Sequence, residues 1–246
     1  MSVHSNPVLD RAGGLAAWKQ VADSVEADIA SGRLKPGDRI APEAQLALRF
    51  GVNRHTVRRG LASLAERGLV RATQGSGTFV EAAPMAYPVG TKTRFSEVMA
   101  KAGKEARGEL LSAEHGKADA SVSQALGIAP GAPVLAMTTL YRADGVPISL
   151  ARTHLPLPRF LGLDQVFAAK GSLTKAYKKF GLDDYKRLST RIAARSADAE
   201  EARALDIAPG RTVLIVNSIN VDLEGARIQA TQSRFAADRV ELNVKA

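Results

Sequence analysis

Six arginines stand between residues 49 and 71: Arg49, Arg54, Arg58, Arg59, Arg67 and Arg71. They face one acid, Glu66, so 23 residues carry a local charge of +5. The planar guanidinium fork fits a phosphate or the O6/N7 edge of guanine better than a lysine ammonium does. The whole chain leans the same way, with 34 Lys and Arg against 25 Asp and Glu, a net +9. Such a basic balance points to an anionic partner, nucleic acid first, although a solvated helix face would give the same local count. Cysteine is absent, which excludes disulfides, thiolate chemistry, Cys-ligated zinc and iron–sulfur clusters. Neither paired carboxylates nor metal-ligand spacing is present, so no cofactor and no metal is expected.

The elements that position these arginines are legible. Apolar Leu15, Trp18, Val21, Ala22, Val25 and Ile29 recur at three- and four-residue steps and predict a helix over Leu15–Ser31, stopped by Gly32. A second helix is predicted over Glu43–Phe50, with Pro42 near its start and Gly51 at its end. Asn53 then caps a third helix running to about Arg67. Two helices joined by so short a turn read as a helix-turn-helix. Val57, Leu61 and Leu64 fall on one face of the third helix, leaving Arg54, His55 and Arg58 on a sector free to enter a major groove. Arg59 lies off that sector and can simply face solvent. Thr56 can cap or pack instead of touching phosphate. Two β-prone runs around Gln74-Gly75-Ser76-Gly77 predict a hairpin, a wing ending near Val80. The expected DNA contacts are therefore Arg39, Asn53, Arg54, His55, Thr56, Arg58, Arg71, Gln74, Gly75, Ser76 and Gly77.

Residues 1–80 thus form the predicted winged helix-turn-helix. Residues 81–92, rich in small residues and proline, read as a linker. Residues 93–246 form a mixed domain, giving an α+β chain overall. That domain holds a repeat: Ala125-Leu126-Gly127-Ile128-Ala129-Pro130-Gly131 returns 79 residues later as Ala204-Leu205-Asp206-Ile207-Ala208-Pro209-Gly210. Each copy reads as a short helix, a Pro-Gly turn and a strand that turns into another, predicting two units packed into one mainly antiparallel sheet.

Pro36-Gly37-Asp38-Arg39-Ile40, Glu43, Phe50-Gly51-Val52-Asn53-Arg54-His55-Thr56-Val57-Arg58-Arg59, Gly68-Leu69-Val70 and Gly75-Ser76-Gly77-Thr78-Phe79-Val80 resemble the GntR family of bacterial transcription regulators. The later part is similar to the HutC-type effector domain, UTRA, of chorismate-lyase-like fold. More narrowly, Val52-Asn53-Arg54-His55-Thr56, Thr93-Arg94-Phe95-Ser96, Asp184-Tyr185-Lys186-Arg187-Leu188-Ser189-Thr190 and Phe235-Ala236-Ala237-Asp238-Arg239-Val240 resemble the phosphonate-utilisation repressors, the PhnF-like group. The resemblance implies a homodimer on a palindromic double-stranded DNA operator, released or retained by a small effector. Three positions depart from the family pattern. Ala41-Pro42 replaces Pro followed by a capping residue, Ala44 stands where relatives carry a DNA-contacting arginine, and Gly60 stands where they carry alanine.

Residues 81–246 hold 23 basic and 18 acidic side chains, +5 net, an excess that an anionic effector such as a phosphonate or phosphate ester would explain, with a sugar phosphate or an organic acid as the rival effectors. In the family the effector lies against the sheet near the start of the domain's first helix, here Thr93, Arg94, Phe95 and Ser96. There Ser96 or Thr93 is expected to cap the helix, its first N–H groups to hold an oxyanion and Arg94 to neutralise it. Ser149, Arg152 and His154, Tyr185, Arg187 and Thr190, and Gln229 or Arg234 are the further candidates. By strand alternation Arg152 and His154 share a side and Ser149 does not. Structural alternatives stand beside these: Arg94 pairing with Glu97, Phe95 in the core, and Arg187 and Arg191 as surface residues. An enzyme is not expected, since this part offers only His115 and His154 and no cysteine. An architectural DNA binder without effector remains an alternative. No apolar run approaches the length of a membrane span and the N-terminus has no secretion signal, so no membrane partner and a cytoplasmic location are expected.

Overall fold

Helices form where the apolar periodicity places them: α1 (Ala17–Ala30), α2 (Glu43–Phe50) and α3 (Arg54–Glu66). They belong to a computed structural model that describes residues 16–73, 77–81 and 84–244. The chain folds as two units, Met1–Ala83 and Pro84–Ala246. In the first, Val21, Val25, Leu46, Phe50, Val57, Leu61 and Leu64 close one apolar core between the helices. Gly51 ends α2 in the left-handed region at φ 64°, and Asn53 starts α3 by accepting the Thr56 amide at 2.8 Å. Strands β1 (Val70–Thr73) and β2 (Gly77–Val80) pair antiparallel as the wing. Arg39 adds a bridge to Phe79. The predicted contacts Gln74, Gly75 and Ser76 lie outside the described residues.

The second unit departs from expectation at its start. Within the segment predicted as linker, Met85–Val89 forms strand β3, parallel to the later strand β10 (Val240–Val244). Alternation explains it: Tyr87 and Val89 point into a core with Val240 and Phe235, while Pro88 tolerates the edge of a two-stranded pair. Proline had signalled a linker where only an edge position was meant. Helix α4 (Phe95–Lys101) follows.

The repeat builds the main sheet. Strand β4 (Ala106–Lys117), helix α5 (Ala120–Leu126) and strands β5 (Pro133–Ala143) and β6 (Val146–Pro156) form the first copy. Strand β7 (Lys186–Ser196), helix α8 (Ala199–Leu205) and strands β8 (Thr212–Val221) and β9 (Arg227–Ala236) form the second. Between them lie α6 (Leu163–Lys170) and α7 (Leu173–Tyr177), the latter running into a 3-10 turn at Lys178–Phe180. The six strands order β4-β5-β6-β9-β8-β7, every neighbour antiparallel. Each copy thus gains a leading strand that the sequence repeat did not reveal. Phe160, Leu163, Phe167 and Tyr177 pack against one face of the sheet with no measurable exposure. Among the described residues no helix is long and apolar enough to cross a membrane.

Gly60, in the middle of α3, has a packing reason. A Cβ there would lie 2.8 Å from the Trp18 carbonyl oxygen and 3.3 Å from Val21 Cγ1. Alanine is the better helix former by about 1 kcal/mol, so propensity alone predicts that Gly60→Ala stabilises. The close approach predicts the reverse, a loss of roughly 1–3 kcal/mol as α1 is pushed off α3. Scanning calorimetry of the full chain should show a lower melting midpoint for the first unit; an unchanged or higher one would show that the helices separate freely.

Candidate DNA-contact surface and ligand cavity

The α3 arginines do not all stay free. Arg59 lays its guanidinium 4.7 Å above the Trp18 ring, and Arg67 pairs with Glu26. Arg49 pairs with buried Asp28 at 3.2 Å. Arg71, a predicted wing contact, is half-buried, 5.4 Å over the Phe79 ring and 3.6 Å from Glu81. Arg58 donates through Nε and Nη2 to the two Glu43 carboxylate oxygens at 3.0 and 2.8 Å. This bond holds the Glu43 carboxyl below its usual range and the Arg58 guanidinium above its own. Arg54 and His55 are exposed at the start of α3. Thr56 is half-buried, its hydroxyl on the Asn53 side chain at 3.0 Å, so it packs and caps. Arg39 is exposed and crosses the wing at Gly77: a Cβ on Gly77 would meet its Nε at 2.8 Å, and the φ of +110° also favours glycine. The outcome is an exposed set of Asn53, Arg54, His55 and Arg58 on one helix end, with Arg39 on the wing.

In the second unit one face of the sheet and α4 enclose a cavity of 90 Å³. Eight predicted residues line it: Thr93, Arg94, Phe95, Ser96, Ser149, Tyr185, Arg187 and Gln229. Four do not. Arg152 and His154 line a different cavity, of 570 Å³, beside α5. They follow Ser149 on the same strand at the opposite parity, so the sheet separates them from it. Arg234 pairs with buried Glu201 of α8 at 3.1 Å, and Thr190 lines neither cavity.

The cavity floor is a buried polar network. Gln229 Oε1 accepts from the Tyr177 hydroxyl and from Asn220 Nδ2, each at 2.8 Å, and its Nε2 donates to Thr231 Oγ1 at 2.7 Å. Thr231 meets Thr153 at 3.0 Å. The sequence had not pointed to Asn220, Thr153, Thr231, Tyr87 or Tyr141. For Asn220, Thr153 and Thr231 the only signal was small polar residues on strands; Tyr87 and Tyr141 read as core aromatics. Burial pushes the Tyr87 phenol up to about 12 and raises Tyr141, Tyr177 and Tyr185 as well. At neutral pH these phenols stay protonated and can donate.

The two cavity arginines differ in their charge partners. Arg94 bonds Glu97 at 2.9 Å, pairs with Asp184 and stacks 4.7 Å from the Tyr185 ring. Neither Thr93 nor Ser96 caps α4; Thr93 Oγ1 instead binds the Pro88–Gly90 turn. Arg187 has its Nε 3.4 Å from Asn220 Oδ1. It forms no ion pair with any described carboxylate, and burial pulls its pKa down. This is a mostly buried cation without a counter-ion.

A winged helix-turn-helix joined to a separate unit with a polar, cationic cavity defines a transcription regulator: one part binds DNA and the other takes a small-molecule effector. This chain belongs to the gntR family of bacterial regulatory proteins, matched over residues 17–80, and carries a UTRA domain over residues 101–241. It is 43% identical over 239 residues to an uncharacterised HTH-type transcriptional regulator of Rhizobium meliloti (strain 1021), covering 97% of this chain and 98% of that one. It is 32% identical to the "Probable transcriptional regulator PhnF" of Escherichia coli (strain K12), over 93% and 94% of the two chains. The crystal structure of PhnF from Mycobacterium smegmatis matches with a TM-score of 0.61 at 26% identity, over 92% of this chain and 98% of that one. These are transcription regulators, not enzymes, and so is this chain.

Asp184 pairs with Arg94, one of the cavity-lining residues. Lys92 at 2.7 Å, with the Tyr185 amide and Arg94, holds its carboxyl down at about 2. A depressed carboxyl contributes stability above its unfolded pKa of about 3.9 and loses it only as pH falls through the folded value. The urea midpoint of the native chain should therefore exceed that of Asp184→Asn at pH 6 and still do so at pH 3. A difference that has vanished by pH 4 would mean that the carboxylate has no such partners in solution.

Proposed function

We propose that this chain is a repressor of phosphonate uptake or utilisation genes. It binds a palindromic operator as a homodimer in the cytoplasm and is modulated by a small anion, a phosphonate or a phosphate ester. The observation that carries the effector reading is Arg187. A guanidinium that is mostly buried, faces a cavity and lacks a carboxylate is stabilised by an anion brought to it, and a phosphonate offers the oxygens for a bidentate bond. Arg94 is already neutralised by Glu97 and Asp184, so it shapes the cavity rim and Arg187 supplies the unpaired charge. Tyr185, Ser149, Ser96 and Gln229 add hydrogen bonds, and Phe95 gives an apolar wall. The likeness to the PhnF proteins supports a phosphonate over other anions.

On DNA, α3 enters the major groove with Arg54, His55 and Arg58 leading, and Arg39 follows the wing to the backbone. Two copies read half-sites about one DNA turn apart, roughly 34 Å. The effector acts by preferring a state in which the two helices no longer fit that spacing, and it shifts the balance only by its differential affinity.

Fluorescence anisotropy on the chain's own upstream DNA tests this at two salt concentrations, with phosphate, a small alkyl phosphonate or a sugar phosphate added. Expected is tight, salt-sensitive binding that weakens with the phosphonate. Weakening only with the sugar phosphate would replace the effector and keep the regulator. Indifference to every anion would favour the architectural reading. Within the same assay, Arg187→Met should bind DNA within about twofold of the native chain yet ignore the phosphonate. Arg54→Ala should bind more weakly on all sequences if it meets phosphate, or lose one base preference, about 1–3 kcal/mol, if it meets guanine.

A further inference from the structure

The exposed start of α3 carries a carboxylate among its cations. Glu43 opens α2, and its two oxygens bind Arg58 from the side, through Nε at 3.0 Å and Nη2 at 2.8 Å. An acid on a surface that approaches phosphates lowers affinity for every DNA sequence. Its position is therefore informative. Nε and Nη2 form one edge of the guanidinium, and Glu43 occupies that edge. The outer edge, Nη1 with the second N–H of Nη2, stays open. That outer edge still offers two parallel N–H donors to O6 and N7 of guanine, and it is the fork Glu43 leaves available. An arginine held from the side also loses less freedom on docking than a free one.

We propose that Glu43 is a specificity residue: by locking Arg58 side-on, it makes that arginine read one guanine in each half-site. The proposal rests on the reading above that Arg58 enters the major groove. Glu43 touches no base; it positions the group that does. Its location in the first turn of α2 also suits the helix dipole, a purely structural role that would leave base preference untouched.

The test uses the full chain. Sites selected by the native protein from a random duplex library give a preferred sequence. Binding is then measured to that duplex, to variants with each guanine changed to adenine, and to random duplex. For the native protein one guanine per half-site should be worth about tenfold or more in affinity. Glu43→Gln should flatten that one position to under about threefold and leave the others unchanged, while binding random duplex as well as the native protein or better. Glu43→Asp keeps the charge and the first-turn acid but shortens the reach, and it should flatten the same position. Full discrimination retained by both variants would overturn the proposal. So would a guanine preference that survives Arg58→Ala, a result that would fault the placement of Arg58 itself. Affinity for random duplex reports in every case that the variant has folded.

Discussion

The pairing of β6 with β9 joins the two halves of the effector unit and decides what each strand residue can do. Ser149, Ala151 and Thr153 stand opposite Phe235, Ser233 and Thr231, and all six line the 90 Å³ cavity. Arg152 and His154, opposite Gln232 and Ala230, open on the other face beside α5. One register thus separates two chemical surfaces that are interleaved along the chain. A slip by one residue would exchange them and drive Arg152 into the aromatic core.

Charge is arranged on the same principle of placement over count. The first unit has a dense arginine run, yet folding brings acids to most of its members: Asp28 to Arg49, Glu43 to Arg58, Glu26 to Arg67 and Glu81 to Arg71. The exposed pairs Arg58–Glu43 and Arg67–Glu26 add little stability, whereas Asp28 and the Glu81 side chain are largely buried; all four acids fix where a guanidinium points. Arg54 keeps its charge outward at the helix start. The effector unit repeats the pattern with buried charges: Glu201 meets Arg195 and Asp222 meets Arg159, while Arg187 pairs with no described carboxylate. Buried charge without a partner destabilises a fold, and the proposed function places its anion at that point.

Linkage joins these features to regulation. Under the proposed function, an anion held by Arg187 and an operator duplex each favour the states that bind it better. Each ligand then alters the other's affinity by the same factor. Polar floor residues such as Gln229 and Asn220, each held by more than one hydrogen bond, keep the donors in place before binding, which lowers the ordering cost of capture.

Local pattern by itself determined the three helices, the Asn53 cap, the wing, the doubled strand–turn–strand unit and the family. Each of these is written in periodicity, caps and glycine positions that act within a few residues. It also determined that the second unit is cationic and that Ser149 faces away from Arg152. Tertiary structure alone decided the rest. Residues 85–89 became a strand because β10, at the far end of the unit's sequence, offers an edge. Arg187 and Arg191, four apart, reached opposite faces because β7 carries a bulge between Arg187 and Ser189. Glu43 found Arg58, and Asp184 found Arg94, across 15 and 90 residues of chain. The reason is physical: a side chain's surroundings depend on which distant segment packs against it, and no local periodicity encodes that partner.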